Sequence, residues 1–144
     1  MPYKFDHVGF VVKDIDEVAK LYKDILGITP WDRGVMEDKE HGVKLLLLQV
    51  GDFLVELIQP TAPGNRFAKF LDEHGEGLFH LSLFTRNYDK EVELLRDKGV
   101  PVEEEEIKDA FPGHIFKIAW LPPEATRGPW IELVDMTRLP EDIQ

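Results

Sequence analysis

Phe5-Asp6-His7-Val8, close to the start of the chain, has a counterpart far downstream in Leu78-Phe79-His80-Leu81. The two histidines are offset by 80 − 7 = 73 positions. A second matching pair follows: Leu54-Val55-Glu56-Leu57 lies over Trp130-Ile131-Glu132-Leu133, offset by 132 − 56 = 76 positions. A drift of three residues is the size of a loop insertion. Self-similarity at a nearly fixed spacing is the mark of a duplicated structural unit.

Working outward from these four stretches, the same order of elements appears twice. Phe5 to Val12 is β-branched and aromatic and reads as a strand. Asp14 opens a helix in which Ile15, Val18, Leu21, Tyr22, Ile25 and Leu26 recur at helical spacing, and Gly27 ends it. Strands are expected over Ile28 to Val35, Val43 to Val50 and Phe53 to Gln59, with a tight turn at Gly51-Asp52. After a loop from Pro60 and a short helix over Arg66 to Glu73, the pattern restarts. Leu78 to Thr85 is a strand and Tyr88 to Lys98 a helix with Val92, Leu94 and Leu95 inward. Val100 to Ile107, Ile115 to Leu121 and Trp130 to Val134 complete the second set of strands. Glu103 to Glu106 would repel charged neighbours in a central strand, so the first of these is expected at an edge. Pro122 to Pro129 reads as a loop and the residues after Met136 as a tail. The fold class that follows is α+β. Two βαβββ modules, at about residues 4–60 and 77–136 of a single 144-residue domain, form a curved, incompletely closed sheet.

The duplication also pairs like with like: a histidine in the first strand of each module and a glutamate in the last. Glu56 shares a strand face with Leu54 and Ile58, and Glu132 with Trp130 and Val134. A carboxylate among apolar neighbours is expensive to bury unless a cation or a partner accompanies it. One strand histidine or one strand glutamate is ordinarily structural or solvated. Two of each, in equivalent places, form a donor set suited to a borderline divalent ion. His7, Glu56, His80 and Glu132 are therefore the expected metal ligands, around a cleft between the modules. Trp130 shares the face of Glu132; packing is the commoner role for a strand tryptophan, and lining that cleft is the alternative. His41, His74 and His114 sit in loops or at element ends and read as surface residues.

Composition narrows the remaining choices. Seventeen basic residues against 28 acidic ones leave a formal net charge of −11, without the basic patch a nucleic-acid binder needs. Arg33, Lys44 or Arg127 could still receive an anionic group. There is no cysteine, so disulfides, thiolate metal sites and a cysteine nucleophile are excluded. Met1 to Phe10 lacks a long apolar run, and Leu45 to Leu48 is too short to cross a membrane. A cytoplasmic protein without nucleic-acid or membrane partners is the expectation. Two apolar half-sheets on a small acidic chain predict a symmetric homodimer. Neither a Gly-rich phosphate loop nor a dinucleotide fingerprint is present.

At these residues the chain resembles the glyoxalase and methylmalonyl-CoA epimerase branch of the vicinal-oxygen-chelate superfamily, from Phe5 to Val134. Asp6-His7-Val8-Gly9-Phe10, through Tyr22 and Ile25-Leu26-Gly27, is similar to the family's opening. Glu40-His41-Gly42-Val43, Val55-Glu56-Leu57-Ile58-Gln59-Pro60, Phe67-Ala68-Lys69-Phe70-Leu71 and Gly75-Glu76-Gly77-Leu78-Phe79-His80 look most like the epimerases. Gly128-Pro129-Trp130-Ile131-Glu132-Leu133-Val134 resembles the family's final strand. The resemblance implies the same four ligands, His7, Glu56, His80 and Glu132, around one divalent ion such as Co, Ni, Mn or Zn. Two departures stand out. Epimerases usually carry a His pair where this chain has Phe79-His80, and a carboxylate used as a second base in one epimerase type corresponds to about Leu45.

A metal-dependent, enolate-forming proton-transfer enzyme is the function the resemblance implies, acting on an acyl-CoA or a thiol adduct and most like methylmalonyl-CoA epimerase. Glu132 is then the catalytic base, and Glu56 the carboxylate that returns the proton. A glyoxalase I-type lactoylglutathione lyase is the alternative. A ring-cleaving dioxygenase is disfavoured by the fourth ligand, and a non-catalytic small-molecule binder would not need this ligand set.

Overall fold

The computed structural model describes all residues, Met1–Gln144, and resolves the chain into two compact units. One unit is His7–Phe79. The other comprises His80–Gln144 together with Met1–Asp6.

The His7–Phe79 unit carries most of β1 (Tyr3–Val11), then α1 (Ile15–Leu26), β2 (Met36–Asp38), β3 (Val43–Val50), β4 (Phe53–Pro60) and α2 (Arg66–His74). Its strands are hydrogen-bonded in the order β2-β3-β4-β1. β3 and β4 form an antiparallel hairpin, and β1 runs parallel to β4 with Gly9 opposite Glu56. The start of α1 is set by Asp14, whose side chain accepts from the Glu17 N–H at 3.1 Å, and by Gln59, whose Oε1 accepts from the Ile15 N–H at 3.0 Å. Its end is Gly27, in the left-handed region at φ 69°, a conformation that costs glycine little. The inner face of α1 packs Ile15, Val18, Ala19 and Tyr22 onto Phe10, Leu46, Leu48, Val55 and Leu57. Burying a side chain such as Leu57 contributes about 1.5–3 kcal/mol. The helix thus covers one face of the strands. His7, Gly9 and Glu56 alternate onto the other.

The other unit repeats this plan with β5 (Gly77–Thr85), whose first residues precede it in the chain, α3 (Tyr88–Asp97), β6 (Glu103–Phe111), β7 (His114–Leu121), α4 (Pro123–Thr126) and β8 (Trp130–Asp135). The strand order is β5-β8-β7-β6, with β5 parallel to β8 and the other pairs antiparallel. α3 sets Tyr88, Val92 and Leu95 against Leu83, Ala119, Leu121, Ile131 and Leu133. His80, Ser82, Trp130 and Glu132 fall on the face that the helix leaves uncovered. The two βαβββ modules and the α+β class are as the sequence predicts. No helix is long and apolar enough to cross a membrane.

Several local expectations are corrected. The strand expected over Ile28 to Val35 is absent. Pro30 makes an isolated bridge to Leu48, the chain turns at Gly34 (φ 66°), and only Met36–Asp38 pairs regularly, with β3. Proline has no N–H to donate, so the segment hangs on single bonds such as Trp31 N–H to the Leu47 carbonyl at 2.7 Å. The acidic strand begins at Glu103 rather than Val100 and runs to Phe111; it is the outermost of its four, as its charges require. Leu94 is exposed, unlike Val92 and Leu95. The loop at Pro122 to Pro129 contains one helical turn, α4. The expected tail is ordered: Asp135 caps a 3-10 turn over Met136–Arg138, and Met136 and Leu139 are buried.

Candidate functional site

Each unit brings one of the expected histidines to its expected glutamate. In the first, β1 and β4 run side by side, and His7 Nε2 lies 3.7 Å from Glu56 Oε1. In the second, β5 and β8 do the same, and His80 Nε2 lies 3.8 Å from Glu132 Oε1. His80 is wholly buried and His7 nearly so. Parallel pairing places each pair: the histidine sits two residues before the position opposite the glutamate, so both side chains emerge on one face.

The distances bear on what the pairs are for. A charge-assisted hydrogen bond between imidazolium and carboxylate closes to about 2.7–2.9 Å. Two donor atoms bonded to a single ion at about 2.1 Å each are instead held roughly 3–4 Å apart. Both pairs have the second spacing. With imidazole nitrogen and carboxylate oxygen as the donors, and no thiolate anywhere in the chain, the donor chemistry is that of ligands to a borderline divalent ion.

The surroundings of the two glutamates differ. Ser82, fully buried and opposite Glu132 in the β5–β8 register, donates its hydroxyl to Glu132 Oε1 at 2.7 Å. The residue in the same place opposite Glu56 is Gly9. Trp120, paired with Glu132 across β7–β8, sets its ring edge-on to the His80 imidazole at 5.2 Å and to Trp130 at 6.2 Å. The Trp120 ring thus packs against the buried His80 imidazole and against Trp130. Trp130 shares the face of Glu132 as expected. Ser82 and Trp120 escaped the sequence reading. Strand alternation carried the signal for Ser82, a polar residue two positions after His80 on an otherwise apolar face.

Leu45 and Leu47 lie on the same face as Glu56, since they pair with Ile58 and Glu56 across the β3–β4 hairpin. Leu45, the position where the resemblance implies a second carboxylate base, is therefore aliphatic and on the face of Glu56.

The other histidines are tied to their own surroundings. His41, expected on the surface, is half-buried, and its Nδ1 lies 2.8 Å from the buried Asp38 Oδ2, while its N–H donates to Oδ1 at 3.1 Å. His74 is exposed against Phe70, with ring centroids 5.0 Å apart. His114 Nδ1 donates to the Arg138 carbonyl at 3.1 Å. Of the cations considered for an anionic group, Arg33 rests over the Trp31 ring at 5.1 Å, and Arg127 is exposed at a left-handed φ of 58°.

Two βαβββ modules, each presenting a His–Glu pair on the strand face opposite its helix, define a class of duplicated α+β proteins with paired nitrogen and oxygen donors. The chain belongs to the Glyoxalase/Bleomycin resistance protein/Dioxygenase superfamily, whose family model matches residues 6–117. It is 28% identical to the mitochondrial methylmalonyl-CoA epimerase of Homo sapiens over 131 residues, 90% of this chain and 72% of that protein. It is 27% identical over 135 residues to the uncharacterized protein YqjC of Bacillus subtilis (strain 168), covering 92% of this chain and 91% of that one. Among solved structures, a variant of Streptomyces coelicolor methylmalonyl-CoA epimerase in complex with 2-nitronate-propionyl-CoA superimposes with a TM-score of 0.79 at 26% identity, over 93% of this chain and 97% of that one.

Proposed function

We propose that the protein is a metal-dependent proton-transfer enzyme that epimerises an acyl-CoA thioester at its α-carbon, most like methylmalonyl-CoA epimerase. In this reading His7, Glu56, His80 and Glu132 share one divalent ion. The observation that carries it is the matched His–Glu pair in each module, at 3.7 and 3.8 Å. Likeness to epimerases over nine-tenths of the chain, one of them bound to an acyl-CoA analogue, supports the choice of substrate class.

A bound divalent ion supplies Lewis acidity that makes a carbon acid beside a thioester easier to ionise. The chain's own residues do the rest. Glu132, the carboxylate of the β8 half-site, takes the α-proton as its C–H bond breaks. Glu56, in its protonated form, delivers a proton to the opposite face of the same carbon, and exchange with solvent resets both groups. The imidazoles of His7 and His80 act as ligands. With leucine at position 45, proton return falls to Glu56.

Elemental analysis of the purified protein, followed by deuterium exchange at the α-carbon of methylmalonyl-CoA and of a panel of acyl-CoAs and hemithioacetals, tests the reading. Bound metal with exchange confined to acyl-CoA is the expected result. Isomerisation of hemithioacetals alone would make the enzyme a glyoxalase I-type lyase. Metal-free protein with no exchange would end the proposal.

A further inference from the structure

The two modules are equivalent in topology and in their His–Glu pairs, yet one hydroxyl makes their carboxylates unequal. Ser82 occupies, in β5, the place that Gly9 occupies in β1. Each stands directly opposite its module's glutamate. Ser82 Oγ is 2.7 Å from Glu132 Oε1, and glycine has nothing to offer Glu56 at that place. Oε1 is also the oxygen 3.8 Å from His80 Nε2.

We infer that Ser82 is a positioning residue for Glu132: its buried hydroxyl holds Oε1 beside His80 and so fixes the plane of the carboxylate and the placement of Oε2. The inference rests on the proposed metal-dependent proton transfer. It divides the labour of one carboxylate, with Oε1 kept at the imidazole as the ligand oxygen and Oε2 given to the proton.

Three physical points support it. An ionised carboxylate accepts only, so the hydroxyl must be the donor, and its direction is set. A serine hydroxyl without access to water costs about 1–3 kcal/mol if unmet, so the bond is maintained rather than intermittent. A carboxylate turns about its last torsion with little preference of its own, so a single directed bond decides its orientation.

The test is a double-mutant cycle on the metal-loaded enzyme with methylmalonyl-CoA. Ser82→Ala should lower the kcat of α-proton exchange about 10- to 100-fold, the usual effect of removing a residue that orients a metal ligand, and leave KM within about twofold. In a Glu132→Gln background the same change should cost little more, because the carboxylate it aims is already gone. Ser82→Cys, which keeps the volume and weakens the donor, should fall between and guards against a folding defect in the alanine variant. The absorption spectrum of the Co(II)-loaded protein should shift on Ser82→Ala, reporting a turned ligand oxygen. Equal losses in both backgrounds, or an unchanged kcat with an unchanged cobalt spectrum, would overturn the inference. A wild-type protein that binds no Co(II) and exchanges no α-proton would instead defeat the proposed function, a different outcome from the first two.

Discussion

Replacing Glu132 by Gln separates ligand from base more sharply than any other single change. The amide has nearly the size of the carboxylate, and its oxygen can still accept from Ser82 Oγ, 2.7 Å away in the native protein. What is lost structurally is the charge on the acceptor. A hydrogen bond to a charged group contributes about 1.5–3 kcal/mol and a neutral one about 0.5–1.5, so the fold should weaken by roughly 1 kcal/mol. That is too little to unfold a domain of this size. Catalysis should suffer far more, because an amide cannot accept a proton. General-base catalysis contributes about 10²–10⁴-fold, which corresponds to about 2.7–5.5 kcal/mol of barrier. The assay is deuterium incorporation at the α-carbon of methylmalonyl-CoA in D₂O, followed by mass spectrometry, with urea unfolding and metal content measured on the same preparation. A variant that holds metal, unfolds near the wild-type midpoint and exchanges at least about 100-fold more slowly is the predicted result. Full exchange in Glu132→Gln would refute Glu132 as the base.

Two further predictions concern the frame. Asn65 caps α2 by accepting from the Ala68 N–H at 2.8 Å, and its amide also donates to the carbonyls of His41, Gly42 and Ala62; Asn65→Ala should cost about 2 kcal/mol, at the upper end for a cap, read by urea unfolding, and a loss below about 0.5 kcal/mol would refute the bracing role. Burial, with the Glu91 hydrogen bond next, pushes the Tyr3 phenol up to about 12. A folded-state pKa above the unfolded value near 10 gives stability that is complete below pH 10 and lost as pH rises towards 12. Tyr3→Phe should therefore unfold with a shallower alkaline decline than wild type in urea titrations between pH 9 and 12, and parallel declines would refute the assignment.

How much of this was legible in the sequence follows from what each feature depends on. The modules, α1 and α3 were readable because local periodicity and caps specify them: Asp14 and Gly27 bound α1, and the His and Glu positions repeat at a near-constant offset. Boundaries failed where tertiary hydrogen bonding decides. Ile28 to Val35 has the residues of a strand, but Pro30 and the turn at Gly34 leave it to be held by single bonds to β3. Residues after Met136 are polar enough to look like a tail, and only the burial of Met136 and Leu139 shows otherwise. For the candidate site, strand position and duplication put His7, Glu56, His80 and Glu132 forward, while their pairing depends on the parallel register of β1 with β4 and of β5 with β8. Strand alternation also marks Ser82, but its partner and the role of Trp120 arise from cross-strand register, which links residues 50 and 12 positions from Glu132.

In the proposed function the two half-sites serve one ion. Equilibrium dialysis of the metal-free protein against Co(II), with His7→Ala and His80→Ala alongside, counts the ions directly. One ion per chain, lost in either variant, is the predicted result. Two ions per chain, each removed by only one of the substitutions, or no binding at all, would contradict the account.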